Sequence, residues 1–314
     1  MIDNLICAPL NWCIELVMKE IVRSKTIVVS GDDFDDKNES DLVFKNIRRG
    51  IVRLFGVGFY FFVFDLISVF YILFRRPKLV YLWSGCSLFS LILCKFSKIT
   101  TILFCGSPSV YFFEPYKSRW GYKNKFIYCY RRFEYKLCDR IYTESNWSKS
   151  TYNEFIDKVE VRQTVIKAIK DIRETSVIKS DYLFDMIVPS TEDWKGFDIA
   201  IQLAEYTKDK INWHFFGEYD SRLDSMCFSG IYHGYASRSY FLDVLAVCDG
   251  IFILTKGDSG PRALMEAITL NKFVFASQYC IAPDLKNEYD KLYVFDRTSE
   301  ISKLKADLIR VIHG

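Results

Sequence analysis

Histidine is scarce in this chain, and cysteine, although present, follows no metal-binding pattern. Three histidines occur among 314 residues, and none of them lies within the first 200. The ten cysteines include no pair separated by two residues, and most lie in apolar runs such as residues 91–94. Structural zinc sites are built from such His and Cys clusters. We therefore expect no metal site and predict reduced, buried cysteines, which are typical of a cytosolic protein.

A strong excess of charge of either sign is also lacking. The 42 Lys and Arg residues and the 39 Asp and Glu residues leave a net charge of +3. This balance does not by itself indicate a polyanionic partner such as nucleic acid. Half of the residues are apolar, so material for a core is ample. At about 150 residues per domain, the length predicts roughly two domains.

The beginning of the chain lacks the basic start and long apolar core of a signal peptide. We therefore expect a cytoplasmic location, with peripheral contact at the cytoplasmic face of the membrane left open. Residues 54–74 form an apolar run of 21 residues with Asp65 as its one charge, which is long enough to span a bilayer. Because a charge at mid-membrane is costly and a strand pattern follows at once, we favour a helix packed in a domain over a spanning helix.

Helix-like and strand-like segments alternate along the chain, which is typical of parallel α/β layers. Helices are predicted at residues 11–23 and 299–312. Residues 167–180 are rich in charge and poor in large apolar side chains, so they are the best linker candidate. We predict two Rossmann-like domains, at residues 1–166 and 167–295. Strands are predicted at residues 4–8, 26–30, 78–83, 100–105, 184–188, 212–216, 250–254 and 272–276.

The most informative segment is residues 250–267, in which an apolar run is followed by Gly-Asp-Ser-Gly-Pro-Arg and a helical Glu-Ala pattern. It predicts a buried strand, a tight polar loop and a helix. Pro261 suits the first helical turn, and Asp258 and Ser259 are candidate caps. The N–H groups at a helix N-terminus bind anions, and the side chain of Glu266 leans back toward that end. The spacing therefore predicts a nucleotide or nucleotide-sugar site.

This segment resembles the signature of retaining GT-B glycosyltransferases of the family-4 type, in which two acidic residues are separated by seven others. Here the pair is Asp258 and Glu266. Residues 187–198 resemble the first strand, Lys-Gly turn and helix of the donor-binding domain. Residues 213–218 resemble its second strand, and residues 232–237 the loop before a later helix. The resemblance covers about the last 130 residues, and residues 144–149 resemble a segment late in the acceptor domain. The first hundred residues match only in general layout.

The resemblance implies the GT-B fold, with two Rossmann-like domains facing each other across a cleft. The first domain would bind the acceptor and the second the nucleotide-diphosphate sugar, UDP or GDP being unresolved. The C-terminal helix, within residues 296–314, would cross back to the first domain. Transfer would proceed with retention, and no cofactor or bound divalent ion is implied. The acceptor would be a glycan or a lipid-linked acceptor, in bacterial surface polysaccharide or lipopolysaccharide synthesis.

Three residues are expected to carry the chemistry. Glu266 would accept hydrogen bonds from the ribose hydroxyls, since a carboxylate can take two at once. Asp258 stands where the family usually has glutamate. It would contact the donor sugar or stabilise the positive charge that develops on it. Lys195 would neutralise the leaving diphosphate. The full donor-binding set comprises Ser190, Lys195, Gly217, Glu218, His233, Tyr235, Asp258, Ser259, Gly260, Pro261, Arg262 and Glu266.

The chain departs from the family pattern at several positions. Ser190 stands where the family usually has an arginine, and Arg262 is a candidate replacement. The family's Gly-Gly loop is absent, so Asn11 would cap the next helix and Trp12 would lie at the cleft. The stretch that often carries a histidine near the reacting centre holds Cys105, Gly106 and Ser107, which complete the acceptor-side set. A donor phosphate oxygen can act as the base in retaining transfer, so catalysis does not require that histidine.

Residues 115–140 combine eight basic residues with eight aromatic ones. The basic set is Lys117, Arg119, Lys123, Lys125, Arg131, Arg132, Lys136 and Arg140. Such a patch suits a lipid diphosphate or an anionic membrane, single-stranded nucleic acid, or an amphipathic helix with core aromatics. One alternative function is therefore a virus-encoded transferase acting on nucleic acid. The missing arginine and histidine leave a second alternative open, a non-catalytic partner that binds a nucleotide sugar for another transferase.

Overall fold

The computed structural model describes residues 4–8, 26–30, 42–43, 57–85, 87–105, 121–162, 183–224 and 230–313. The chain forms two compact units. The first comprises Met1–Glu144 and Lys149–Thr164, and the second comprises Ser145–Ser148 and Val165–Gly314. We describe each unit by itself.

The first unit is built on a parallel sheet in which seven described strands follow the order β3-β2-β1-β4-β5-β6-β7. Two runs of strands wind outward from β1 and β4, which is the arrangement of a doubly wound fold. Its strands are β1 Asn4–Ala8, β2 Thr26–Ser30, β3 Leu42–Val43, β4 Leu79–Trp83, β5 Thr100–Phe104, β6 Arg140–Thr143 and β7 Val159–Val161. Its described helices are α1 Val57–Arg75, α2 Leu88–Ser97 and α3 Gly121–Leu137, and α4 Asn146–Ser150 lies where the two units divide.

Helices α1 and α2 pack side by side in the first unit, and Asp65 joins them. Its carboxylate accepts hydrogen bonds from the backbone N–H groups of Phe89 and Ser90, at 2.7 and 3.0 Å. A carboxylate at a helix N-terminus satisfies donors that have no partner inside the helix. This contact accounts for the single charge within the apolar run. Burial raises the pKa of Asp65.

The second unit repeats the same winding, with the strand order β10-β9-β8-β11-β12-β13. All neighbouring strands are parallel. The strands are β8 Phe184–Val188, β9 Ile211–Phe216, β10 Gly230–Gly234, β11 Gly250–Ile253, β12 Phe273–Ser277 and β13 Leu292–Phe295. The helices are α5 Phe197–Tyr206, α6 Arg238–Val247, α7 Arg262–Thr269, α8 Ala282–Leu285 and α9 Ile301–His313.

Separate apolar clusters cover the two faces of this second sheet. One cluster includes side chains of α5 and α9, and the other includes side chains of α6, α7 and α8. Strands buried on both faces are expected to be largely apolar, and β8, β9 and β11 are buried throughout. Leu304 and Leu308 of α9 belong to the first cluster. The final helix is therefore part of the core of the second unit, where the sequence had suggested a crossing back to the first domain.

Most predicted strands in the described residues agree with the structure to within a residue. One interpretation was wrong, because residues 232–234, expected in a loop, lie in β10. Strands β3, β6, β7 and β13 were not predicted from the sequence. The predicted helix at residues 11–23 and the linker at residues 167–180 lie outside the described residues.

The apolar run at residues 54–74 corresponds to α1. Within the part of the chain that the structure describes, no helix combines the length and the hydropathy that crossing a bilayer requires. Among the described cysteines, Cys94, Cys105, Cys138, Cys248 and Cys280 are buried thiols and Cys129 is an exposed thiol.

Candidate nucleotide-sugar site

A pocket of about 500 Å³ lies in the second unit at the carboxyl ends of β8, β9, β10 and β11. Ligands of doubly wound proteins bind at this edge of the sheet. The lining residues are Pro189, Ser190, Thr191, Glu192, Lys195, Phe216, Gly217, Glu218, Gly234, Tyr235, Ala236, Arg238, Phe241, Ile253, Asp258, Pro261, Arg262, Ala263 and Glu266.

Most of the predicted donor-binding residues line this pocket together. They are Ser190, Lys195, Gly217, Glu218, Tyr235, Asp258, Pro261, Arg262 and Glu266. His233, Ser259 and Gly260 are not in the lining. Ser259 is fully buried, and the backbone N–H of Gly260 donates to the Asp258 carboxylate. The structure therefore assigns Ser259 and Gly260 to the shape of the loop and not to the pocket wall.

Glu266 is held between two arginines at the start of helix α7. Its Oε1 lies 2.9 Å from Nη2 of Arg238 and 3.3 Å from Nε of Arg262, four residues earlier on the same helix. The Glu266 side chain is only 4 % exposed, whereas both arginines are partly exposed. A buried carboxylate needs such partners, because an unpaired buried charge is costly. The result is a carboxylate flanked by two guanidinium groups that face the pocket.

Asp258 and Lys195 form a second charged pair, with Nζ 3.8 Å from Oδ2. Burial raises the pKa of Asp258, and the nearby Lys195 opposes this rise. The expected capping role is corrected, because Pro261 occupies the N-cap position of α7 and no side chain caps that helix. Asp258 instead accepts from Gly260 inside the loop, so its carboxylate stays beside Lys195.

The Lys-Gly turn that carries Lys195 is fixed by backbone geometry. Gly196 has a φ of 110°, and a Cβ there would lie 2.9 Å from the backbone N of Leu254. The turn therefore approaches the end of β11 so closely that only glycine fits. The backbone N–H of Lys256 also donates to the carbonyl of Trp194, at 2.7 Å.

Arg297, just after β13, ties this turn to the rest of the unit. Its guanidinium donates to the carbonyls of Leu254 and Asp193 and to the carboxylate of Asp198, the latter two at 2.8 and 2.7 Å. Its side chain is 5 % exposed. Donation from Nη1 to Leu254 and from Nη2 to Asp193 and Asp198 uses the several donors of the planar guanidinium group. Arg297 therefore positions Lys195 without lining the pocket itself.

A second glycine closes the pocket edge between β8 and β9. Gly217 has a φ of 126°, and a Cβ there would lie 2.7 Å from Oγ1 of Thr191. Thr191 in turn donates to the carbonyl of Glu218 at 2.6 Å, and the N–H of Gly217 donates to the carbonyl of Gly234 at 3.0 Å. These bonds join the ends of β8, β9 and β10 around the pocket.

His233 takes part in a hydrogen-bonded chain beside the pocket. Its Nε2 lies 3.0 Å from Nδ1 of His214, and its Nδ1 lies 3.0 Å from the hydroxyl of Tyr240. His214 also contacts the buried carboxylate of Asp185. Burial, with a smaller contribution from His214, lowers the pKa of His233 to about 4. The ring stacks on Phe216, with centroids 4.4 Å apart, so it supports the pocket wall from behind.

Sequence reasoning missed Arg238 and Arg297. Arg238 is the first residue of α6, directly after the N-cap Ser237, so its place at the start of a loop-to-helix segment was an available signal. Arg297 lacks any such signal, because its partners are 43 to 104 residues away. Only the three-dimensional fold brings that arginine to the turn.

The acceptor-side predictions fall mainly outside the described residues. Asn11, Trp12, Gly106 and Ser107 are among those positions. Cys105 is described, and its thiol lies in the core of the first unit, 2 % exposed, with its pKa raised by burial. We correct its assignment to a packing residue, because a buried side chain offers no surface to an acceptor.

The predicted basic patch is partly neutralised where its side chains are described. Arg131 donates to the hydroxyl of Ser84 at 2.8 Å. Arg132 forms an ion pair with Glu154 at 2.5 Å, and Arg140 forms one with Glu160 at 3.2 Å. Lys117, Arg119, Lys123 and Lys125 lie at positions whose side chains are not described. Of the four members of the basic set whose side chains are described, Arg132 and Arg140 are therefore neutralised by ion pairs.

No group of three or more His, Cys, Asp or Glu side chains that could hold a metal ion occurs among the residues described. The positive charges that line the pocket come from Lys195, Arg238 and Arg262.

Solved structures share this architecture over nearly the whole chain. Anabaena Alr3699/HepE in complex with UDP-glucose matches 98 % of this chain and 89 % of its own, with 12 % identity and a TM-score of 0.62. Trehalose-6-phosphate from E. coli bound with UDP-2-fluoro glucose matches 99 % and 91 %, with 9 % identity and a TM-score of 0.64. The apo form of the lipopolysaccharide outer core galactosyltransferase WaaB matches 100 % and 91 %, with 13 % identity and a TM-score of 0.59.

These similar structures are GT-B proteins with two Rossmann-like domains. The chain adopts the GT-B fold. At these identities the likeness concerns the fold alone. No protein-family model matches the chain, and no curated protein matches its sequence.

Proposed function

We propose that this GT-B protein is a glycosyltransferase. It would transfer a sugar, with retention and without a protein-bound metal, from a nucleotide-diphosphate sugar to a glycan or lipid-linked acceptor. The setting would be synthesis of a bacterial surface polysaccharide or lipopolysaccharide. The observation that carries the proposal is the pocket at the strand ends, which combines Lys195, Arg238 and Arg262 with the acidic residues Asp258 and Glu266.

The charged side chains of the pocket suit the diphosphate and the ribose of such a donor. A diphosphate carries negative charge, which lysine and arginine neutralise as the bond to the sugar breaks. Arg238 and Arg262 supply guanidinium groups in a site where Ser190 stands in place of the arginine usual in the resembled family. Glu266, ion-paired to both, keeps a carboxylate near the same ends of the strands and would accept from ribose hydroxyls.

Asp258 would act at the sugar. In retaining transfer the bond between the anomeric carbon and the phosphate oxygen breaks, and positive charge develops on the sugar ring. An ionised Asp258 stabilises that charge, and Lys195 at 3.8 Å favours the ionised form. The acceptor hydroxyl forms the new bond, and its proton passes to a phosphate oxygen of the leaving nucleoside diphosphate.

The known ligands of similar structures support a uridine donor. Alr3699/HepE is in complex with UDP or UDP-glucose. A putative UDP-N-acetylglucosamine 2-epimerase from Listeria monocytogenes also shares the fold, with a TM-score of 0.57 and 10 % identity. The fold therefore does not distinguish transfer from other reactions of a nucleotide sugar, and the test has to separate binding from transfer.

The first test is thermal stabilisation by UDP, GDP and their sugars. A ligand that binds only the folded state stabilises it by mass action, about 2.7 kcal/mol at a hundred times the dissociation constant. We expect one nucleotide class to raise the melting temperature of the wild type and to lose this effect in Glu266→Ala. Glu205→Ala, on an exposed position of α5, is the matched control and should respond like the wild type.

The nucleotide that binds is then used as a labelled sugar donor, with and without EDTA. Release or transfer of the label by the wild type, but not by Asp258→Asn, supports the enzyme. Binding without any turnover would favour the non-catalytic partner. A flat response to the whole panel by folded protein would contradict a preformed donor site, and binding to single-stranded DNA with steep salt dependence would favour the nucleic-acid alternative.

A further inference from the structure

Helix α1 carries two apolar faces, which is unusual for a helix at the surface of a domain. Phe64 and Ile72 point into the core of the first unit. The opposite face consists of large apolar side chains, most of them spaced three or four residues apart and all exposed: Phe62, Leu66, Phe70, Leu73 and Phe74. Surface helices normally place polar residues on that side. An outer face of this kind marks an interaction surface.

Helix α2 extends this surface. It runs beside α1, and Phe89 near its beginning packs edge-to-face on Phe62, with ring centroids 5.7 Å apart. Phe96, seven residues later on the same side of α2, is 86 % exposed, and Phe74 of α1 is 71 % exposed. Side chains this large are costly to leave in water. We name the exposed aromatic and leucine side chains of the two helices the apolar ridge.

Basic residues border the apolar ridge where both helices end. Arg75 and Arg76 close α1, and Lys95 and Lys98 lie at the end of α2; all four are exposed. A cavity of about 580 Å³ opens between these ends, and Arg76, Lys78 and Lys98 line it together with Leu73. Among the residues that form this cavity, none is acidic. The cavity therefore offers cations to an anionic group directly beside apolar side chains.

We propose that the apolar ridge and its basic border dock the protein on an anionic lipid bilayer. Helices α1 and α2 would lie against the surface, with aromatic side chains among the acyl chains and the cavity over a phosphate headgroup. Aromatic and leucine side chains on one side and Lys or Arg beside them are the features of helices that bind at a membrane interface. This inference deepens the proposed function, because a lipid-linked acceptor would be met at such a surface.

Charge decides between the possible occupants. A second copy of the same surface would bring the same basic border against itself, and like charges facing each other oppose association. An anionic bilayer satisfies the basic residues and the apolar side chains together. Each Lys or Arg near such a surface strengthens binding roughly fivefold.

The test is co-sedimentation of the full chain with vesicles of phosphatidylcholine alone or mixed with phosphatidylglycerol. We expect binding to the mixed vesicles that weakens at high salt. Arg76→Gln combined with Lys98→Gln should lower the partition coefficient by roughly tenfold or more. Phe74→Ser combined with Phe96→Ser should lower it to a similar extent or further.

Matched controls come from the second unit. Leu183→Ser with Tyr206→Ser removes two exposed apolar side chains, and Lys208→Gln with Lys303→Gln removes two exposed charges; both should bind like the wild type. Urea midpoints of all variants check folding. Absence of wild-type binding, or equal loss in the controls, would overturn the proposal. So would a wild-type dimer, seen by sedimentation, that the Phe74 and Phe96 substitutions dissociate while vesicle binding stays unchanged. UDP and GDP stabilisation is measured separately, so failure of the donor site is distinguishable from failure of docking.

Discussion

Gly196 shows how a single residue sets the position of a charged group. The turn that presents Lys195 lies against the backbone of Leu254. At Gly196 the φ angle is positive and the contact with that backbone is close. A side chain there would have to displace backbone atoms and not a flexible side chain. The Lys-Gly pair in the sequence therefore has a steric reason that is independent of any ligand.

Replacing Gly196 with Ala should cost more stability than replacing Gly234 with Ala. Both positions have positive φ values, 110° and 68°, but a Cβ at Gly234 would meet only the Tyr232 ring, at 3.8 Å. Strained backbone alone costs about 1–3 kcal/mol, and the clash at Gly196 adds to it. Urea unfolding of the two variants measures the difference. Equal losses would mean that the backbone of Leu254 moves aside freely.

Arg297 acts on the scale of elements, because it joins the ends of β11 and β13 to the turn before α5. Arg297→Gln should lower the free energy of unfolding by about 1–3 kcal/mol, since the buried carbonyl of Leu254 would lose its guanidinium donor. It should also weaken nucleotide binding by displacing Lys195. Arg310→Gln, which removes an exposed partner of Asp307, is the control. A full loss of binding with an unchanged urea midpoint would instead place Arg297 in the binding site.

The pairing of β9 with β10 should make stability depend on pH. The pKa of His233 is lowered to about 4, whereas an unfolded histidine titrates near 6.5. Between these values the unfolded chain binds more protons than the folded one, so stability is full above about pH 6.5 and falls as the pH decreases toward 4. His214, Tyr240 and Phe216 surround the ring, and none of them offers a negative charge to offset its protonation.

We expect the wild type to lose about 1–2 kcal/mol of stability to this group between pH 7 and pH 5. His233→Gln places a side-chain amide where the imidazole ring was. The part of the stability loss that protonation of His233 causes should therefore disappear. Urea midpoints of both proteins at several pH values give the comparison. Parallel curves for the two proteins would show that other groups cause the pH dependence.

The secondary-structure elements and the candidate site differ in how much of each could be predicted from the sequence. Buried parallel strands are nearly continuous apolar runs, so β8, β9 and β11 were readable, as were the loop and helix that hold Asp258 and Glu266. Strand β10 was not, because it begins and ends with glycine and is largely exposed at the edge of the sheet. The sequence did not predict all the partners of Glu266, since Arg238 contacts it from another helix. The outer face of α1 was also hidden, because an apolar run does not reveal which of its sides is buried.

At the scale of the whole molecule, the two units have separate sheets and separate apolar clusters. The acidic pair and the cations of the candidate donor site all belong to the second unit, and the apolar ridge belongs to the first. Donor binding and membrane docking are therefore assigned to different units. Each can be removed by substitution without touching residues of the other.

A bound nucleoside diphosphate should therefore slow hydrogen exchange selectively in the second unit. Bound ligand stabilises the segments that line the pocket, so protection should rise in residues 188–196, 216–219 and 257–266. Exchange in β4 and β5 of the first unit should change little without an acceptor. Glu266→Ala should show no rise in protection, which controls for unspecific stabilisation. Equal protection of β4 and β5 would mean that the nucleotide also orders the first unit, and the donor site would then have to include residues of both units.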